Sequence, residues 1–132
     1  MAMLISDPVN YGDFAVGATI YVYFNTFDGG DGSSATVTDL NADGTDVHIH
    51  KDGGLTQRNN AAGVAVDVAY DAKDGINLIT IDTSDNTVAG FFTCGSDYMV
   101  RIEGVTIDEQ TVDACVGIFS IQNRYGRPGG RY

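Results

Sequence analysis

The 132-residue chain has no tryptophan, only two cysteines, two prolines and three methionines, and only seven basic residues against eighteen acidic ones. Each shortage excludes something. The two cysteines, Cys94 and Cys115, lack the close Cys or His spacing of a zinc site, and two thiols do not make a disulfide-built scaffold. Without tryptophan and a cysteine pair around it, the core of an antibody domain is excluded. A formal net charge of −11 repels phosphate backbones and argues against nucleic-acid binding. No apolar run approaches the ~20 residues that cross a bilayer as a helix, so no membrane association is expected. The start, MAMLISDPVNYGDF, has neither the basic region nor the apolar stretch of a secretory signal, so the chain is expected to fold in a cytosol. There is no Gly-x-Ser-x-Gly elbow, phosphate loop or dinucleotide fingerprint. The expectation is a protein that is not an enzyme and uses no cofactor.

What the chain does have is apolar runs separated by turn chemistry. Its 43% apolar content is enough for a core, and its length suits one domain. Seventeen glycines cluster with Asp, Asn, Ser and Thr between the runs, which is the pattern of an all-β protein with many turns. The most regular stretch covers residues 95–124, GSDYMVRIEGVTIDEQTVDACVGIFSIQNR. Tyr98, Val100 and Ile102 alternate with Met99, Arg101 and Glu103, the period of a half-buried strand. A turn at Asp108-Glu109-Gln110 then leads into a second strand over 112–121, with a bulge expected at Gly117. Further strands are expected over 18–24, 35–40, 46–51, 55–58, 64–70 and 76–82. Val47 and Ile49 are expected to point inward with His48 and His50 outward, and Tyr70 to point inward. SDNTVAGFF, 84–92, is the one helical candidate, with Ser84 as N-cap and Gly90 ending it early.

The count gives an Ig-like antiparallel β-sandwich of about seven strands with one short helix before the strand that holds Tyr98. Few helical signals exist to cover parallel strands, so parallel pairing is disfavoured. Tyr98 stands where the Tyr of an Ig-like corner bonds back to nearby backbone. Residues 1–17 read as an N-terminal arm or edge strand, 18–124 as the sandwich, and 125–132 as an Arg/Tyr/Gly tail.

Four groups of residues are candidates for function. Asp39-Leu40-Asn41-Ala42-Asp43-Gly44 matches the first half of a calcium loop, with Asp39, Asn41 and Asp43 as ligands. His50 stands where the twelfth-position acid belongs, so an ordinary turn explains the same residues better. His48 and His50 share one strand face and lack a third metal ligand nearby in sequence. Tyr21 and Tyr23, outward on the strand over 18–24, either meet another subunit or lie under a loop. The tail RYGRPGGRY holds Arg124, Tyr125, Arg127, Arg131 and Tyr132 and no acid, whereas residues 1–123 carry a formal −14. Such a tail suits docking on an acidic neighbour, where arginine forks pair with carboxylates.

Together these stretches carry a resemblance. The order is ATIYVYFNTFD, VHIHKDGG, INLITIDTSDNTVAGFF, GSDYMVRIEG and IFSIQNR. It resembles the small Ig-like virion-associated proteins of tailed phages, and is similar to the N-terminal sandwich of upper baseplate and some tail-fibre proteins. It spans residues 18–124 and lies in strand-and-turn pattern, not in a catalytic signature. It implies a virion structural protein made in the host cytoplasm. It also implies homo-oligomers on the particle and partners among major capsid or other virion subunits. Capsid decoration is the first expectation; a neck, baseplate or tail-fibre adaptor, or a module binding host glycans through outer loops such as 28–34, are the alternatives. Longer relatives continue into a fibre after the closing strand, and this chain has eight residues there, which disfavours a complete receptor-binding fibre.

Overall fold

Along the hairpin, side chains at Ser96, Tyr98, Val100 and Ile102 are buried, and those between them are half-buried or exposed. In the computed structural model, which describes residues 3–41, 45–55, 57–58, 62–85 and 87–123, this alternation belongs to two long strands. β8 is Ser96–Ile107 and β9 is Gln110–Ile121, joined by a turn in which Asp108 and Glu109 both have positive φ. Two bulges shape the pair. Val100 faces Gly117 and Arg101 faces Cys115, so Val116 is an extra residue on β9. Ile102 faces Ala114 and Val105 faces Val112, so the second extra residue lies on β8, beside Gly104 with φ +65°. The inward face of β8 therefore passes from Tyr98, Val100 and Ile102 to Val105 and Ile107. That of β9 passes from Val116 to Phe119 and Ile121. The bulge expected at Gly117 is present, one residue earlier.

The other strands are β1 (Val9–Phe14), β2 (Thr19–Asn25), β3 (Val37–Thr38), β4 (Val47–Lys51), β5 (Gln57–Arg58), β6 (Val64–Asp67) and β7 (Ile76–Asp82). They make nine strands among the described residues, two of which are only two residues long. The larger sheet runs β1-β9-β8-β4-β5, with β3 also pairing β8; the smaller runs β2-β7-β6. The two pack face to face as a sandwich closing toward a half-barrel. Ile20, Val22, Phe24, Ile79 and Ile81 of the small sheet meet Val47, Ile49, Val100, Ile102, Val105, Val116, Phe119 and Ile121 of the large one. Burial of these branched and aromatic side chains supplies most of the driving force.

Four expectations need correction. Not all pairing is antiparallel: β1 runs parallel to β9. Parallel neighbours need a long crossover, and here the whole chain between β1 and β9 serves as one, with no covering helix required at a sheet edge. The helix over 84–92 is absent among the described residues, which form turns and bends. Asp82 Oδ1 accepts from the backbone N–H and the hydroxyl of Ser84, at 2.9 and 2.6 Å, and Asp85 Oδ1 accepts from Thr87 N–H. Side chains that capture backbone donors in this way compete with helix. Tyr70 does not end a strand with its ring inward. Ala69, Asp71 and Ala72 take positive φ, the ladder stops at Asp67, and Tyr70 begins a 3-10 turn (Tyr70–Ala72) with its ring partly exposed. His48 is not solvated but buried at 4% exposure, its Nε2–H donating to the Thr45 carbonyl at 2.9 Å.

A phenol helps to close the open side of the sandwich. β2 is an edge of the small sheet, and Tyr11 of β1 reaches it from the edge of the large one. The Tyr11 hydroxyl donates to the Tyr23 carbonyl at 2.5 Å and accepts from the Tyr23 N–H at 2.9 Å. One rung further, Ser6 N–H donates to the Asn25 carbonyl while its hydroxyl accepts from Asn25 N–H. The Tyr11 ring lies over Gly117, where an added Cβ would stand 2.7 Å from it. Burial pushes the Tyr11 phenol pKa up, so the hydroxyl stays protonated and able to donate. Tyr11→Phe is expected to destabilise the fold by about 1–3 kcal/mol, because both backbone groups of Tyr23 lose their partner. Urea unfolding checks it, and an unchanged midpoint would show that water replaces the phenol without loss.

Candidate interaction surfaces

The outward face of the small sheet carries the first surface. β2 alternates, burying Ile20, Val22 and Phe24 and turning out Tyr21 and Tyr23, which are 52% and 44% exposed. Antiparallel register sets Tyr21 beside Thr80, Tyr23 beside Leu78, and Asn25 beside Ile76 of β7. Tyr70 packs edge-on against Tyr23 with ring centroids 5.6 Å apart, and Ile76 is also exposed. The result is an exposed strip of three tyrosines and an isoleucine on a chain of formal net charge −11. Tyr21 is the more open of the two rings, and Tyr23 has Tyr70 of the 3-10 turn against it. Tyr70 was not singled out by sequence, because its position in a left-handed turn depends on backbone geometry at Ala69, Asp71 and Ala72 and not on periodicity.

The second surface is on the outward face of the large sheet. Asn10, Ile118, Met99 and His50 stand in one row across β1, β9, β8 and β4, and Asp13, Ser120 and Asp97 in the next. Between them lies a shallow groove of about 360 Å³, to which Gly53 also contributes. Ile118 is 42% exposed at its floor. The alternation that predicts the hairpin also marks Met99 and Ile118 as large apolar side chains on a polar face, so the signal for this groove was in the sequence. Beyond His50 the face is ionic. Arg101 donates from Nε to His50 Nε2 at 3.0 Å and from a terminal nitrogen to Glu103 at 2.6 Å. His50 Nδ1–H in turn faces the Gly54 carbonyl at 3.1 Å, which fixes its tautomer.

The remaining candidates resolve into local structure where they are described. Asp39 has φ +63° and accepts from the Thr106 hydroxyl, and Asn41 N–H donates to Asp46. Asp43 lies outside the described residues. Among the described residues no three His, Cys, Asp or Glu side chains converge as a metal site. In the 28–34 loop, Asp28 accepts from Gly30 N–H, and Asp31 accepts from the N–H and hydroxyl of Ser33, which hold its carboxyl below the usual carboxylate range. Cys94 and Cys115 are free thiols. Cys115 lies opposite Arg101, inside the hairpin, while Cys94 precedes it, so register separates them. Burial pushes the Cys115 thiol up, away from reactive thiolate. Arg124, Tyr125, Arg127, Arg131 and Tyr132 lie outside the described residues.

Fold and surfaces define a nearly all-β sandwich with exposed apolar strips. No helix among the described residues is long and apolar enough to cross a membrane. No known family model matches the chain, and no curated protein matches it significantly.

Proposed function

We propose that this chain is a non-enzymatic structural protein of a tailed-phage particle, an Ig-like sandwich that binds its neighbours on the capsid and stabilises the shell as a decoration protein. The observation that supports this reading most directly is the Tyr21–Tyr23–Tyr70–Ile76 strip on an acidic chain. Tyrosine combines rigid apolar area with a polar tip and is enriched at interface centres. The Tyr98 hydroxyl accepting from Thr93 N–H and donating to the Phe91 carbonyl supports the Ig-like assignment, in line with the resemblance over residues 18–124. Many modest contacts repeated over a symmetric shell would hold such a subunit through avidity, with the Arg/Tyr tail as a second point of attachment.

The test is binding to purified particles. Tyr21→Ser with Tyr23→Ser is expected to weaken attachment at least ~30-fold, about 2 kcal/mol, with the melting temperature held. Both side chains point away from the core, so the fold tolerates the change. Equal co-sedimentation of variant and native chain would remove this strip as the contact. Copy number separates the two virion roles: decoration requires occupancy that follows the capsid lattice, whereas a neck, baseplate or fibre adaptor is present in a handful of copies.

A further inference from the structure

The small sheet has two edges, β2 and β6, and they are finished differently. Asp82 N–H donates to the Gly63 carbonyl at 2.7 Å, so Gly63 and every second residue after it, Ala65 and Asp67, turn their backbone groups toward β7. Val64 and Val66 turn theirs the other way. On β2 the same parity aims the backbone groups of Tyr23 and Asn25 outward, where Tyr11 and Ser6 meet them. On β6 no described residue pairs with the outward groups of Val64 and Val66. The usual guards of an edge are also missing: residues 64–67 hold no proline, lysine or register shift. Val64 and Val66 pack against the core yet remain half-buried, which leaves apolar area to be covered.

We propose that β6 pairs with β6 of a second copy of this chain, antiparallel about a two-fold axis at Ala65. Parity selects the register. The bonds have to run through Val64 and Val66, and centring on Ala65 lets Val64 of each copy exchange both backbone bonds with Val66 of the other. Ala65 then faces its own counterpart in the close, non-hydrogen-bonded position, Cα to Cα about 4.5 Å, where a small side chain fits. Valine meets valine on the inner face, a β-branched cross-strand pair. Asp67 faces Gly63 of the second copy and not another Asp67. The sequence VAVD thus serves both sides of a two-fold, which is what selects a second copy over an unrelated strand. Charge opposes the pairing: Asp67 comes in next to Asp85, which stands beside that Gly63, and each chain carries −11. Association is therefore expected to strengthen as salt screens these charges. A four-residue edge buries less than the ~1,200 Å² of a standard interface, so the dimer belongs to high local concentration. The axis stands perpendicular to the sheet, so both outward faces fall on one side. The row Tyr21, Thr80, Ala65 continues into Ala65, Thr80 and Tyr21 of the second copy, and the two tyrosine strips share one face. The pairing does not depend on the decoration reading; if both hold, a particle meets two strips at once.

The experiment is cross-linking of the purified full chain. Cys94→Ser removes the exposed native thiol, and Ala65→Cys is added to it. Two thiols facing each other at about 4.5 Å between Cα atoms are within disulfide reach. Oxidised glutathione takes up the two electrons, and a non-reducing gel reads the dimer. Asp67→Cys in the same background is the control: it shares the strand and the face, but its counterpart lies about 14 Å away along the strand. A disulfide dimer is expected with Ala65→Cys and not with Asp67→Cys, with a yield that rises from about 20 mM to about 0.5 M salt. Ala65→Glu, which sets like charges opposite each other at an exposed position, should weaken self-association in sedimentation at least ~10-fold with the melting temperature held. No self-linkage at position 65 up to about 1 mM chain, or equal linkage at 65 and 67, overturns the proposal. So does linkage of Ala65→Cys to a particle protein in place of itself, which assigns the edge to a partner's strand. Particle co-sedimentation is scored separately: binding without self-linkage sinks the pairing alone, and self-linkage without binding sinks the decoration reading alone.

Discussion

Replacing Tyr98 by alanine is expected to destabilise the fold by about 3–5 kcal/mol, the range for deleting a buried aromatic side chain. Tyr98 is 2% exposed and ties residues 91–93 to the hairpin in two ways. Its ring stacks on Phe119 with centroids 4.9 Å apart and touches Phe91 and Phe92 at 5.7 and 5.5 Å. Its hydroxyl accepts from Thr93 N–H at 2.8 Å and donates to the Phe91 carbonyl at 2.8 Å. Tyr98→Phe separates the two contributions. It keeps the stack and leaves a buried N–H and C=O without their partner, at about 1–3 kcal/mol. Urea unfolding of native, Phe and Ala chains measures both steps. If Phe and Ala prove equally damaging, the hydroxyl rather than the ring cluster secures residues 91–93. If Phe is neutral, the hydrogen bonds contribute nothing net.

A valine at Gly75 is expected to be comparably severe, costing about 3–5 kcal/mol from left-handed strain and overpacking together. Gly75 has φ +84°, and a Cβ there would stand 2.8 Å from the Thr26 carbonyl oxygen and 2.9 Å from Ser34 Cβ. Backbone on one side cannot swing away as a side chain does. The same place is densely bonded. Thr26 N–H donates to the Gly75 carbonyl, the Thr26 hydroxyl donates to the Ala35 carbonyl, and buried Asn77 donates to the Thr26 hydroxyl at 3.1 Å. Pushing residue 75 outward would therefore open three connections at once. Gly53, also at positive φ, has nothing within 4 Å of an added Cβ, so Gly53→Ala meets backbone strain without a clash. Thermal melts of the two variants should rank Gly75→Val far below Gly53→Ala, and equal melting temperatures would refute the steric argument.

Much of this architecture was legible wherever side-chain alternation alone decides burial. In β2, β4 and β8 the period-two pattern placed Ile20, Val22, Phe24, Val47, Ile49, Val100 and Ile102 in the core and Tyr21 and Tyr23 outside it. Local capture of backbone donors escaped the pattern. Asp82 and Asp85 turned a helical-looking stretch into consecutive turns, and nothing in periodicity distinguishes a capping Asp from a competing one. Long-range coverage escaped it too. His48 faces outward as alternation requires, yet the carbonyl of Thr45 and its neighbours bury it. The parallel partnership of β1 with β9 joins residues more than a hundred positions apart, and no local signal encodes it. The tyrosine strip was half legible: Tyr21 and Tyr23 followed from spacing, Tyr70 and the bracing role of Tyr11 did not.

The phenol of Tyr11 saturates a carbonyl and an amide that a neighbouring strand would otherwise claim, and it does so with a single oxygen atom. Exposed strand edges are templates for joining with other chains, and proteins guard them with charge, proline, bulges or cover. Here the guard at one rung is a removable side chain. A chain that has lost this oxygen would, besides its loss of stability, present an unguarded rung to other chains and clump during storage. Shelf life is then sensitive to position 11 for a second reason, separate from the stability of the folded chain.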